Sequence, residues 1–183
     1  MIRIAINGYG RIGRSVLRAL YESGARERVQ IVAINEPADS KTIAHLTRYD
    51  STHGRFSGTI TDSEDLLTVN GDDIHILHET NLHQLPWDNL GVDVVLECSG
   101  TFSDRETAEQ HISSGAKRVL FSQPAEPTVD ATIVYGINQH ELTDDDTIVS
   151  AASCSTNCVI PVIKVLKDAF GVEGGVITTI HSA

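Results

Sequence analysis

Apolar positions along the chain follow two periods, one typical of strands and one typical of helices. Residues 2–7 (IRIAIN) are apolar and β-prone, and beyond a glycine-rich turn apolar residues recur at helical spacing from Ile12 to Leu20. A second β-prone run covers residues 29–36 and stops at Pro37. Strand, helix and strand in so short a span make a βαβ unit, which implies a parallel sheet with a right-handed crossover.

The rest of the chain continues this alternation. Helices are predicted over residues 41–49, 104–114 and 154–170, and strands over residues 57–61, 66–70, 73–78, 92–98, 117–122, 131–135, 147–150 and 176–181. Asn70 and Gly71 are typical of a hairpin turn. We therefore expect an α/β fold with a Rossmann-type, doubly wound and mostly parallel sheet over residues 1–152. Residues 153–183 would supply the first helix and strand of a truncated second domain, because the last strand would lack sheet partners.

Composition places the chain among ordinary globular proteins. Its 183 residues are 40% hydrophobic and 21% charged, and the formal net charge is -11. Such an acidic chain is poorly suited to nucleic acid or an anionic membrane as its main partner. No stretch resembles a signal peptide or approaches membrane-spanning length, and the three cysteines are too oddly spaced for a disulfide scaffold. We therefore expect a cytoplasmic protein.

The glycine-rich turn is the first candidate for chemistry. Gly8 would permit the tight turn after the strand, Gly10 would let the backbone approach a pyrophosphate, and Gly13 would let helix and strand pack closely. The phosphates would lie at the helix N-terminus, where the N–H groups of Arg11 and Ile12 and the helix dipole favour an anion.

An acidic residue completes this pattern. Glu36 stands 23 residues after Gly13, at the end of the second predicted strand. Its carboxylate would accept hydrogen bonds from the adenosine ribose hydroxyls and would repel a 2′-phosphate. The expected cofactor is therefore NAD rather than NADP. The alternative is a purely structural glycine turn with an incidental acid.

Residues 153–158 (SCSTNC) are the second candidate. Ser153 is a suitable N-cap, which places Cys154 in the first turn of a helix, where the positive end of the dipole favours the thiolate. Cys158 lies one turn further along the same face and is expected to be buried and inert. His181 ends the next predicted strand, and its imidazole would pair with Cys154 if that strand end lies beside the helix start.

Other interpretations of these residues remain open. The cysteines could be small apolar residues without a chemical role, or Cys154, Cys158 and His181 could bind a metal, although that set lacks a fourth ligand. A disulfide between the two cysteines is expected only as an oxidation product. The acidic run 144–146 is expected to be a solvated loop. The other histidines share no spacing, and most are expected at the surface or in loops: His45, His53, His75, His78, His83, His111 and His140.

Four segments resemble the glyceraldehyde-3-phosphate dehydrogenase family. They are residues 5–14 (AINGYGRIGR), 49–56 (YDSTHGRF), 91–100 (GVDVVLECSG) and 153–158 (SCSTNC). The resemblance runs along the whole chain and covers the N-terminal half of the family. The fold it implies is an NAD-binding Rossmann domain followed by the start of the catalytic domain.

Within the family, the chain is more similar to the D-erythrose-4-phosphate dehydrogenase branch. Residues 119–124 (VLFSQP) and 129–138 (VDATIVYGIN) resemble that branch more than the glycolytic one. Ala183 also does so, because glycolytic members usually carry tyrosine there. Many relatives have an arginine where this chain has Thr80, so a contact on the adenine side of the cofactor is in doubt.

The resemblance implies a role for each site residue. Cys154 would be the nucleophile, and His181 would activate it and take the proton as hydride passes to NAD. Ser153 and Ser155 would contact the substrate or its phosphate. The residues that would bind the dinucleotide are Gly8, Gly10, Arg11, Ile12, Gly13 and Glu36.

The implied reaction oxidises a small phosphorylated aldehyde through a cysteine thioester in a homotetrameric full-length protein. In the erythrose-4-phosphate branch, hydrolysis of the thioester gives 4-phosphoerythronate for pyridoxal phosphate synthesis, whereas the glycolytic branch uses inorganic phosphate. Two further hypotheses are an NAD-binding chain without turnover and a thiol-based redox sensor. We expect little or no dehydrogenase activity from the 183-residue chain alone.

Overall fold

The computed structural model describes residues 1–180. Its helices are α1 (Arg11–Glu22), α2 (Ser40–Arg48), α3 (Arg105–Ser113) and α4 (Cys154–Phe170). Its strands are β1 (Ile2–Asn7), β2 (Val29–Asn35), β3 (Tyr49–Asp50), β4 (Gly54–Arg55), β5 (Ile60–Ser63), β6 (Leu66–Val69), β7 (Asp72–Leu77), β8 (Val94–Glu97), β9 (Arg118–Phe121), β10 (Ala131–Thr132) and β11 (Ile148–Ser150).

One large sheet organises the described residues. Its strands lie in the order β10-β11-β9-β8-β1-β2-β7-β6-β5. The strands from β10 to β7 in that order pair in parallel, and only the pairs β7–β6 and β6–β5 are antiparallel. The predicted α/β fold with a doubly wound, mostly parallel Rossmann-type sheet is confirmed.

Alternating side chains of the central strands build a core on each face of this sheet. On one face, Ile4 and Ile6 of β1 pack with Leu17 of α1 and Ile43 of α2. On the other face, Ala5 of β1 belongs to a second core that includes Val95, Trp87 and, from α3, Ala108. Because parallel strands are covered on both faces, their loops and polar strand ends are left at the edge of the sheet where a ligand can reach them.

Local sequence signals account for several element ends. Asp39, Asp104 and Ser153 each cap a helix by accepting the backbone N–H three residues later. Asn70 and Gly71 both have positive φ, at 51° and 89°, which is the backbone of the predicted hairpin turn between β6 and β7.

Two expectations at the end of the chain differ from the structure. Residues 171–180 form no helix or strand, so the strand predicted over residues 176–181 is not formed in residues 176–180. A strand requires hydrogen bonds to a neighbouring strand, whereas Val176 and Ile180 are 96% and 93% exposed. The prediction that Cys158 is buried is also wrong, because its side chain is exposed and no residue of α4 is buried.

Candidate functional site

A cleft of about 370 Å³ opens at the carboxyl ends of four adjacent strands, β7, β2, β1 and β8. The segments that follow these strands line it, within residues 79–82, 35–37, 7–10 and 98–102. In open α/β sheets, this edge is where ligands bind, because the loops there diverge and the helix N-termini point toward it. The glycine turn after β1 therefore lies in the wall of the cleft.

The three motif glycines meet different surroundings. Gly8 has φ +87°, and a Cβ there would lie 2.4 Å from the Ser99 backbone. A Cβ on Gly13 would lie 2.5 Å from the Gly8 carbonyl oxygen, so the start of α1 packs directly on the turn. A Cβ on Gly10 would meet nothing within 4 Å. The fold itself therefore requires glycine at positions 8 and 13, whereas Gly10 borders open space in the cleft.

The N-terminus of α1 fits an anionic ligand. Its N-cap residue Gly10 makes no side-chain cap hydrogen bond, whereas the other three helices of residues 1–180 have a capping side chain. The backbone N–H groups of Arg11 and Ile12 lie in this uncapped turn, and both side chains are exposed. Uncapped N–H groups at the positive end of a helix are a binding site for phosphate oxygens.

Glu36 connects the ends of the first two parallel strands. Its Oε2 accepts a hydrogen bond of 2.7 Å from the Tyr9 backbone N–H, which fixes the carboxylate against the glycine turn. The second oxygen makes no hydrogen bond within residues 1–180, and the residue lines the cleft. The carboxylate therefore stabilises the turn and has a second oxygen that can accept a hydrogen bond from a ligand in the cleft. The sequence pattern did not indicate the hydrogen bond between Glu36 and the Tyr9 backbone.

The start of α4 lies at the same edge of the sheet as the cleft. Backbone hydrogen bonds connect the strand ends in order: Ala151 N to Phe121 O, Ser122 N to Glu97 O, Cys98 N to Asn7 O, and Gly8 N to Asn35 O. Three strand spacings separate β11 from β1, or roughly 14 Å at about 4.8 Å each. Cys154, the first residue of α4, is exposed on this side.

Hydrogen bonds fix the short connection that leads into α4. The Ser153 hydroxyl accepts the Thr156 backbone N–H at 2.9 Å, as predicted for an N-cap. Asn157 donates from its side-chain amide to the carbonyls of Ala151 and Ser153, at 2.7 and 2.9 Å. Ala152 has φ 60°, a strained conformation for a residue with a Cβ, and the Ser150 hydroxyl accepts its N–H. The chain therefore enters the helix in one defined conformation.

Only part of the predicted catalytic set lies within residues 1–180. Ser155 is half-buried in the first turn of α4, beside Cys154. His181 lies outside the described residues, so the predicted Cys154–His181 pair stays a prediction. The third cysteine differs from the other two, because burial raises the pKa of the Cys98 thiol to about 11. Cys98 is therefore protonated at neutral pH and does not compete as a nucleophile.

A buried group beneath the cleft was not found from the sequence. Glu97 and His111 are fully buried, and His111 Nε2 lies 3.2 Å from Glu97 Oε2. His111 was expected at the surface or in a loop with six other histidines, and those six are exposed. One signal could have revealed the pair: Glu97 stands at the end of an otherwise apolar strand run, where a carboxylate needs hydrogen-bond donors.

Neither a metal centre nor a membrane span is found in the part of the chain that the structure describes. Among residues 1–180, no three His, Cys, Asp or Glu side chains come together in a way that could hold a metal ion. None of the helices described is both long and apolar enough to span a bilayer.

Two family models match the chain. Residues 2–105 match the model described as "Glyceraldehyde 3-phosphate dehydrogenase, NAD binding domain". Residues 153–183 match the model described as "Glyceraldehyde 3-phosphate dehydrogenase, C-terminal domain". The first match covers more than half of the chain and includes the glycine turn, Glu36 and the other segments that line the cleft.

Proposed function

The chain belongs to the glyceraldehyde-3-phosphate dehydrogenase family and its cofactor is NAD, and from this premise we propose that it oxidises D-erythrose 4-phosphate to 4-phosphoerythronate through a thioester on Cys154. At the level of the family, the activity is the NAD-dependent oxidation of a phosphorylated aldehyde. The specific substrate and the roles of individual residues are our proposal.

The observation that carries this proposal is the shared edge of the sheet. The uncapped helix start at Gly10 and the exposed thiol of Cys154 both follow carboxyl ends of parallel strands. Phosphates bound at α1 and a sulfur at the start of α4 would then lie on one side of the sheet, roughly 14 Å apart by strand spacing. An extended dinucleotide can span that distance, so its nicotinamide end would approach Cys154.

Each residue at the proposed site has a chemical task. The Cys154 thiolate attacks the aldehyde carbon, and its own backbone N–H at the helix start stabilises the oxyanion that forms. Ser153 holds the helix start, and Ser155 is placed in the same turn to contact the substrate or its phosphate. His181 takes the proton of the thiohemiacetal hydroxyl as the hydride leaves its carbon, and water then hydrolyses the thioester to 4-phosphoerythronate and the free Cys154 thiol. NAD, when bound, accepts the hydride.

Dinucleotide binding is assigned to the first βα turn and the end of β2. The N–H groups of Arg11 and Ile12 bind the pyrophosphate, while Gly10 leaves the space that close approach requires. The Glu36 carboxylate accepts hydrogen bonds from the ribose hydroxyls. Gly8 and Gly13 shape the turn, because no larger residue fits there.

The choice of substrate rests on residues 119–124 and 129–138, which resemble the erythrose-4-phosphate branch. The test measures NADH formation by the full-length protein with D-erythrose 4-phosphate alone and, separately, with glyceraldehyde 3-phosphate plus inorganic phosphate. We expect faster turnover of the first. Preference for the second would identify a phosphorylating enzyme and contradict the substrate assigned here.

The role of Cys154 has a matched control four residues further along the helix. In the full-length protein, Cys154→Ser should lower turnover on the order of a thousandfold or more, because a hydroxyl is a far weaker nucleophile at neutral pH. Cys158→Ser, at the other exposed cysteine of the same helix, should change turnover by less than about twofold. Equal losses in the two variants would argue against Cys154 as the nucleophile.

A second candidate, NAD binding without turnover, is favoured by the exposure of α4. Its Val162, Val165 and Phe170 are 57%, 67% and 85% exposed. Cys154 is itself exposed, so residues 1–180 do not enclose a substrate around its thiol. Calorimetric binding of NAD by the 183-residue chain, with no NADH formed from either aldehyde, would select this candidate.

A further inference from the structure

Five side chains form a continuous hydrogen-bonded chain beneath the cleft, and we call them the buried polar network. They are Trp87, His111, Glu97, Asn7 and Asn35, each at most 5% exposed. They come from the connector before β8, from α3 and from the ends of β8, β1 and β2. The network therefore crosses three neighbouring strands of the sheet at the edge where the cofactor cleft opens.

Chemistry fixes the direction of the first hydrogen bonds in the network. The Trp87 indole can only donate, and its Nε1 lies 3.1 Å from His111 Nδ1, so this nitrogen must accept. The imidazole proton then lies on Nε2, which donates to Glu97 Oε2 at 3.2 Å. One indole N–H therefore selects the tautomer of a fully buried histidine.

The same reasoning orients the two amides. A carboxylate only accepts, so Asn7 must turn its Nδ2 toward Glu97 Oε2, at 2.6 Å. Its Oδ1 consequently faces Asn35 and accepts that residue's Nδ2 at 2.7 Å. Asn35 then pairs with the Glu79 backbone through two hydrogen bonds of 2.9 Å. Reversing any member would place two donors or two acceptors face to face.

The network ends in the wall of the cleft. Glu97 Oε1 accepts the Ser99 backbone N–H at 2.8 Å, and Asn35 holds Glu79. Ser99, Glu79, Asn7 and Asn35 all line the cleft, whereas Glu97, His111 and Trp87 do not reach it. Three buried residues therefore set the position of the backbone that a bound cofactor would touch.

We propose that Trp87 and His111 are positioning residues of the NAD site, which they hold in its binding conformation through Glu97. This inference rests on the NAD cleft proposed above. By fixing one imidazole tautomer, Trp87 keeps an N–H on Glu97, and Glu97 in turn keeps Ser99 and Asn7 in place. Buried polar networks specify one conformation only when every member is satisfied, which is the case here.

Trp87→Phe tests the idea with little loss of packing. Without the indole N–H, the His111 proton can move to Nδ1, and the Nε2 lone pair would then face the Glu97 carboxylate. We expect the Kd for NAD, measured by titration calorimetry, to rise about fivefold, and amide exchange at Ser99 in the cofactor-free chain to quicken. Glu97→Gln, which places an amide NH₂ against donors, should raise the Kd about tenfold or more.

Two further variants separate an effect on NAD affinity from a general loss of stability. Phe121→Leu perturbs the same core but removes no hydrogen bond of the network, so it should lower the unfolding midpoint and leave the Kd for NAD within about twofold. The double variant Trp87→Phe/Glu97→Gln should bind NAD about as weakly as Glu97→Gln alone, because both changes break one pathway.

Each contrary result has a distinct meaning. Wild-type affinity in Trp87→Phe and Glu97→Gln would overturn the positioning role and leave the NAD cleft in place. The positioning role would also be overturned if Phe121→Leu weakened NAD binding as much as Trp87→Phe does. Absence of NAD binding by the unaltered chain would instead overturn the proposed cleft, and the positioning role with it.

Discussion

Glu36 stabilises the fold and, in our proposal, also binds the cofactor. Its carboxylate accepts the Tyr9 N–H and also borders the cleft. A hydrogen bond to a charged acceptor contributes about 1.5–3 kcal/mol, more than a neutral one. The carboxylate therefore stabilises the glycine turn before any cofactor arrives, and in our proposal it also lies beside the adenosine ribose.

Removal of that charge should alter cofactor choice. Glu36→Gln keeps an acceptor for Tyr9 but loses the negative charge, so we expect the Kd for NAD to rise about tenfold while binding of NADP improves. Calorimetric titration with both dinucleotides measures the ratio. Glu64→Gln, at an exposed glutamate outside the cleft, is the matched control. An unchanged NAD to NADP ratio would show that Glu36 does not select the cofactor.

The buried or exposed states of single residues were the hardest features to predict. His111 was one of the histidines expected at the surface or in loops because they share no spacing, yet it is buried and hydrogen-bonded to Trp87 and Glu97, from other parts of the chain. Cys158 was expected to be buried because small apolar residues usually are, yet no residue of α4 is buried. Burial depends on which elements meet, and local spacing does not contain that information.

At the scale of elements, the cap at Ser153 was predicted from neighbouring residues, and the structure adds caps of the same local kind at Asp39 and Asp104. Asp39 and Asp104 each accept the backbone N–H and the hydroxyl of a threonine three residues later. These hydrogen bonds, led by the one from the backbone N–H, hold the pKa of each carboxyl below its usual range. A cap of this kind stabilises the helix most while the carboxylate is ionised.

Acid should therefore weaken the caps in a defined range. Since the folded chain holds these pKa values below those of the unfolded chain, the unfolded chain binds more protons at low pH. The contribution of the caps is complete above the ordinary carboxyl pKa of about 3.9 and is lost as the pH falls through the lowered value. Urea unfolding at a series of pH values should show stability decreasing below about pH 4.

A neutral cap isolates this effect. Asp104→Asn can still accept the Thr107 N–H, so α3 should persist, but the loss of stability in acid should be less steep than in the unaltered chain. Asp145→Asn, in an exposed loop, serves as the control and should leave the slope unchanged. Equal slopes in Asp104→Asn and the unaltered chain would contradict the assignment of acid sensitivity to this cap.

At the scale of the whole molecule, the sheet and its two cores form one unit to which α4 adds little. No residue of α4 is buried, and residues 171–180 are exposed throughout. We therefore propose residues 1–152 as an independent NAD-binding domain, with the catalytic domain beginning at residue 153.

A shortened chain tests this division. Residues 1–152 should unfold within about 2 °C of the 183-residue chain and bind NAD with a Kd within about twofold, because no core contact is removed. A chain ending at residue 137 is the control: it lacks β11, which pairs with β9, and should lose stability. Failure of residues 1–152 to fold would place the boundary elsewhere.

The sequence by itself determined the order of the elements, the glycine turn, the acid after β2 and the cap at Ser153. Each depends on periodicity or on residues a few positions apart, so local physical chemistry is sufficient to read it. Strand lengths were less well predicted: the run 131–135 forms only β10 at residues 131–132, because ladder length depends on the partner strand.

Tertiary structure alone decided which polar groups meet. Glu97, His111 and Trp87 come from separate segments, and only the packing of α3 on the sheet brings them together beneath the cleft. The pairing of the strands likewise places the start of α4 at the same sheet edge as the glycine turn. Such contacts join residues far apart in the chain, and no period or spacing in the sequence encodes them.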